Sequence, residues 1–145
     1  MISKKAKYAL KALTRLTQEY ENQHPLLISE IADEEHIPKK FLEAILLELR
    51  NNGLLTSQKG KGGGYKLRLP PEQISIAKVL RIVDGPIAPM LCVSLNFYGK
   101  CDDCKSEETC FIRPLMVQVR DANLAVYENT SLADLVTNDS INKSI

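Results

Sequence analysis

The stretch IPKKFLEAILLELRNNGLLTSQKGKGGGYKLRL, residues 37–69, decides the fold. Pro38 stands where a helix can begin, because its ring presets φ and its missing N–H is one that the first turn does not use. Behind it Phe41, Leu42, Ile45, Leu46 and Leu49 recur at three- and four-residue spacing and predict a helix that buries this stripe. Gly53 ends the helix, since it takes the left-handed cap conformation without strain. The period then changes from helical to alternating. Leu54–Gln58 and Tyr65–Leu69 read as two strands joined by Lys59–Gly64, so the helix runs directly into a glycine-rich hairpin.

Working towards the N-terminus, Ser29 can cap a short helix through Glu35 that turns Ile31 and Ala32 inward, and His36-Ile37 makes a tight turn into Pro38. Two short helices joined by such a turn form a helix-turn-helix, and the hairpin after it is its wing. A further helix precedes them. Ala6, Ala9, Leu10, Leu13, Leu16 and Tyr20 keep helical spacing after the capping residue Ser3, until His24-Pro25 breaks the pattern.

Charge agrees with this division. The formal net charge of the 145 residues is +1, yet residues 1–70 hold 12 Lys/Arg against 8 Asp/Glu and residues 71–145 hold 7 against 10. The basic half is therefore the candidate for nucleic acid. Lys39 and Lys40, at the start of the second helix of the pair, are placed to neutralise phosphates, and Glu43 one turn later can accept from cytosine N4 in the major groove. In the wing, Lys59 and Lys61 supply counter-charge. Gly62 and Gly63 let the backbone approach a phosphate, and Tyr65 opens the return strand. This glycine run is not a nucleotide-binding loop, because no Gly-Lys-Ser/Thr ends it and no helix follows at once.

Beyond Pro70-Pro71 a short helix is predicted over Ser75–Val83, ended by Gly85-Pro86. Residues 86–110 show no regular period. A long helix then starts near Phe111, with Pro114 in its first turn and Leu115, Val119, Ala122 and Val126 as a stripe widened by Ile112, Met116, Leu124 and Ala125. So wide a stripe predicts a dimerisation helix. Thr130 or Ser131 caps a last turn through Val136, and 137–145 reads as a disordered tail. The expected fold is mainly α with a small β-hairpin: a winged helix-turn-helix DNA-binding domain over 1–70, then a sensor loop (86–110) and dimerisation helix within 71–136. No run of residues is apolar enough to span a membrane and the first residues lack the features of a signal peptide, so a cytoplasmic location is expected.

All four cysteines, Cys92, Cys101, Cys104 and Cys110, fall in that one loop, spaced C-x8-C-x2-C-x5-C. In a reducing compartment, four clustered soft ligands point to a metal, a cluster or a redox switch. Thiolate chemistry alone admits a two-iron cluster, a four-iron cubane or tetrahedral zinc. Asp102, Asp103, Glu107 and Glu108 disfavour bare thiolates and so favour a bound cation. An enzyme with a cysteine nucleophile is disfavoured, since no histidine accompanies the cysteines and no glycine-framed nucleophile motif is present.

Tyr8-Ala9-Leu10, Phe41-Leu42-Glu43, Leu49-Arg50-Asn51-Asn52-Gly53-Leu54 and Gly62-Gly63-Gly64-Tyr65, in this order of elements, resemble the Rrf-type family of bacterial winged-helix regulators that includes IscR, NsrR and CymR. The likeness covers nearly the whole chain to Val136. It implies a homodimer on an imperfect palindrome of double-stranded DNA, with Glu43 touching bases and Lys59 entering the minor groove. It also implies an iron-sulfur cluster on Cys92, Cys104 and Cys110. The fourth ligand is then open, because Arg113 stands where some relatives carry a histidine, while Cys101 is an additional thiol. The CymR-like alternative is a cluster-free or zinc-bound regulator controlled by a partner enzyme, a metabolite or thiol oxidation.

Overall fold

The computed structural model describes residues 1–137. Six α-helices and one antiparallel hairpin follow the expected order: α1 Lys4–Gln18, α2 Ile28–Glu35, α3 Lys39–Asn51, β1 Leu55–Gln58, β2 Gly64–Leu67, α4 Ile76–Val83, α5 Arg113–Glu128 and α6 Leu132–Thr137. The disordered tail expected from residue 137 lies outside the described residues, apart from Thr137, which ends α6.

Caps explain several boundaries. Ser3 Oγ accepts from the Ala6 amide at 2.9 Å and Ser75 Oγ accepts from the Lys78 amide at 3.1 Å, each satisfying an amide that the first helical turn leaves free. Gly53 takes φ +82° just past α3, as its sequence position requires. The start of α2 differs from expectation. Leu27, not Ser29, is the residue before the helix, and the Glu30 carboxylate reaches back to accept from the Leu27 amide at 2.8 Å.

The apolar stripes of α1, α3 and α4 meet in one core around Leu13, Leu42, Ile45, Leu46, Leu49 and Val79. Phe41 is the exception in its stripe. It stays 37% exposed and packs edge-on against Tyr8 at 5.5 Å between ring centroids. Surface pairs add smaller restraints, among them Lys5 to Glu48 at 2.6 Å between α1 and α3.

The core continues past Pro70. Ile74 and Leu132 are fully buried in it, and a backbone bridge joins Ser75 to Ser131, with Ile76 N donating to Thr130 O and Leu132 N to Ile74 O, each at 2.9 Å. The chain therefore leaves the core after α4, runs through the cysteine loop and α5, and returns with α6 packed on α1.

Candidate functional site

The hairpin pairs Leu55 with Leu67, Thr56 with Lys66, Ser57 with Tyr65 and Gln58 with Gly64. Leu26 adds a third, one-residue strand, exchanging hydrogen bonds with Tyr65 at 2.7 and 2.9 Å. This fixes the wing against the segment leading into α2. The glycines of the tip have separate jobs. Gly60, Gly62 and Gly64 take positive φ, whereas Gly63 does not and is confined because a Cβ there would lie 2.3 Å from the Gln58 carbonyl oxygen.

Between α3 and the wing lies an open cleft of about 410 Å³, lined by Lys39, Glu43 and Arg50 from α3, Ser57, Gln58 and Lys59 from the wing, Tyr65, and Leu27, Ile28 and Ser29 at the start of α2. Lys39, Lys40, Glu43, Lys59, Lys61 and Gly62 are exposed, Tyr65 is half-buried and Gly63 is buried at the base of the tip. The structure brings Lys39, Glu43, Lys59 and Tyr65 to one cleft. Cations around a single carboxylate suit a polyanion whose interior edges carry hydrogen-bond donors.

Sequence reasoning passed over Arg50. Its guanidinium donates to Ser57 Oγ at 3.1 Å, tying the end of α3 to β1 and placing a further cation in the cleft. The signal was present in the Leu49–Leu54 motif, but the partner strand could not be seen in it.

In the cysteine loop, a 3-10 turn over Leu91–Val93 carries Cys92, which is 4% exposed, while Cys101, Cys104 and Cys110 are partly exposed. The Gly99 amide donates to the Leu91 carbonyl at 3.1 Å and the Cys104 amide to the Cys101 carbonyl at 3.3 Å, so the loop folds back upon Cys92. The Cys101 thiol lies in the neighbourhood of Cys92. Cys92 foremost, then burial, Cys104 and Asp103, push its pKa above the ordinary thiol value. Tyr98 donates to Glu107, which raises the phenol in turn.

Two arginines of α5 hold this loop. Arg120 Nη1 donates to the Val93 carbonyl at 2.8 Å, and Arg113 Nη2 lies 3.5 Å from the Cys92 carbonyl. Arg113 Nε is buried without a hydrogen-bond partner, 3.9 Å from Glu107. Among the described residues no three His, Cys, Asp or Glu side chains are gathered to hold a metal ion. The chemistry of the loop nevertheless fits an iron-sulfur cluster. It offers four thiols and, at Arg113, a cation that reaches the Cys92 carbonyl through Nη2 while its buried Nε makes no hydrogen bond, which suits an anionic group.

Along α5 only Leu124 is buried against the rest of the chain, whereas Leu115, Val119 and Val126 of the expected stripe face outward with Phe111 and Ile112. No helix is long and apolar enough to cross a membrane among the described residues.

Comparison with known proteins agrees with this architecture. The Rrf2 family model, described as an iron-dependent transcriptional regulator, matches residues 2–138. An rrf2-like HTH-type transcriptional regulator of Rhodobacter capsulatus is 44% identical over 138 residues, covering 94% of this chain and 92% of that one. The structure of CymR, the global cysteine regulator of Bacillus subtilis, superposes with a TM-score of 0.78 at 29% identity, covering 95% of this chain and 97% of that one. IscR of T. potens shares the fold with a TM-score of 0.73 at 22% identity, covering 95% and 87%. These relatives are regulators and not enzymes, and the chain belongs to the Rrf2 family of DNA-binding transcriptional regulators.

Proposed function

We propose that this chain acts in the cytoplasm as a homodimer that binds a palindromic operator, with an affinity set by an iron-sulfur cluster, two-iron or four-iron, on Cys92, Cys101, Cys104 and Cys110. Lys39, Lys40, Lys59 and Lys61 meet phosphates, Glu43 meets base edges, Gly62 and Gly63 bring the wing backbone close to a phosphate, and Tyr65 fastens the wing. A bound cluster supplies a centre sensitive to oxidants, iron-sulfur supply or nitric oxide.

The observation that carries the reading is the attachment of α5 to the loop through Arg120 and Val93. The outward residues Leu115, Val119 and Val126 on the same helix form the dimer contact, so a rearrangement at Cys92 reaches the helix that sets the spacing of the two α3 helices. Iron, sulfide and zinc analysis of anaerobically purified protein tests it. Iron and sulfide in comparable amounts, lost in Cys92→Ser, support the cluster; stoichiometric zinc without sulfide ends it.

A second reading is favoured by the described residues holding no gathered group of three His, Cys, Asp or Glu side chains. In it the regulator is zinc-bound or cluster-free and answers to a partner enzyme, a metabolite or thiol oxidation. Protein free of iron, sulfide and zinc that still binds its operator supports this alternative.

A further inference from the structure

One exposed side chain of α3 stands apart from the rest of that helix. Leu47 is 44% exposed, although α3 has a buried stripe for its other leucines. Phe41, the other exposed large apolar residue of this helix, is taken up by Tyr8. Leu47 lies one turn beyond Glu43 and one turn before Arg50, so the three share a face. Glu43 and Arg50 both line the cleft beside the wing. Leu47 does not itself line that cleft, but it stands between these two charged residues as an apolar tooth on their face of the helix.

Against phosphates such a side chain gains nothing, since it neither neutralises charge nor donates a hydrogen bond. Against base edges its best counterpart is the thymine C5-methyl, the one alkyl group exposed in the major groove. We propose that Leu47 reads a thymine of the operator by packing on its 5-methyl group, beside the polar reading by Glu43. This rests on α3 being the helix that enters the major groove. Covering one methyl-sized apolar group corresponds to about a fourfold change in affinity.

The experiment uses the full chain to select an operator from random duplexes, then replaces each thymine in turn by deoxyuridine, which keeps the pairing and removes only the methyl. Wild type should lose about fourfold in affinity at one position per half-site. Leu47→Ala should bind thymine and deoxyuridine operators equally there, and Leu47→Met should restore part of the difference. A deoxyuridine penalty that persists unchanged in Leu47→Ala, or no sensitive thymine for wild type, overturns the inference and leaves Leu47 as a protein contact. A chain that selects no duplex at all overturns the placement of α3 in DNA itself. Because Leu47 is exposed, unchanged thermal unfolding of the variants separates these results from misfolding.

Discussion

Gly64 passes so near Leu26 that a Cβ at position 64 would stand 2.3 Å from the Leu26 carbonyl oxygen and 2.9 Å from the Leu27 amide nitrogen. Backbone atoms cannot yield as a flexible side chain can. Gly64→Ala should therefore break the Leu26–Tyr65 bridge, release the wing and lower operator affinity at least tenfold, while circular dichroism keeps its helical signal. By contrast, a Cβ at Gly62 meets nothing within 4 Å, so Gly62→Ala should cost only the ~1–2 kcal/mol of a left-handed alanine. Equal losses in the two variants would contradict this role of Gly64 in the wing.

Charge and reading should separate in the cleft. Lys59→Ala or Lys61→Ala should weaken binding to all sequences alike and flatten the plot of log affinity against log salt by about one unit for each phosphate that is no longer neutralised. Glu43→Ala should keep the salt slope and change base preference. Titrations against the operator and an unrelated duplex at several salt concentrations check both.

The hydrogen bond from Arg120 to the Val93 carbonyl joins α5 to the cysteine loop. Arg120→Ala leaves the Val93 carbonyl without its donor, at a cost of about 1–3 kcal/mol if water does not replace it, and should speed proteolysis within residues 94–110. The decisive measurement is the response of operator affinity to the state of the cysteines. It should shrink in Arg120→Ala while resting affinity stays within a few-fold, and a full response would show that α5 is moved by another route.

Tyr98 gives a pH test. Its hydrogen bond to Glu107 holds the phenol protonated above the ordinary tyrosine value of about 10, so this contribution to stability is present below the unfolded-state pKa and is lost as pH rises through the folded one. Subtracting the tyrosinate absorbance titration of Tyr98→Phe from that of wild type should leave one transition displaced to higher pH. A transition at the ordinary value would remove the Tyr98–Glu107 contact from solution.

What could be read from the chain were the features decided within one or two turns. Ser3 announces its helix because a capping hydroxyl works on an amide three residues away, and Gly53 and the alternating strands are equally local. The cleft was partly legible, since Lys39, Glu43 and Lys59 belong to a recognisable helix and wing, but Arg50 depended on Ser57 across the hairpin. Phe41 fitted the buried stripe by period, yet Tyr8 of α1 holds it at the edge. The stripe of α5 looked much the same whichever side was covered. That Leu124 turns inward while Leu115 and Val126 do not follows from α4 and the turn at Leu91–Val93, which lie far away in sequence. Neither Arg113 nor Arg120 advertises a carbonyl as its partner.

The bridge between Ser75 and Ser131, together with the ion pair of Arg81 with Glu128 at 2.8 Å, anchors the far end of α5 to the body of the molecule. The 16 residues of this helix are about 24 Å long at ~1.5 Å per residue, and the loop carbonyls of Cys92 and Val93 meet it at its start, Arg113, and at its middle, Arg120. On the proposed coupling, α5 would act as a lever with its fulcrum near Glu128 and its handle at Arg113 and Arg120. Were the loop to shift, residues nearer Arg113 would sweep farther than those nearer Glu128, so the effect of substitutions on the response should fall from Leu115 to Val126.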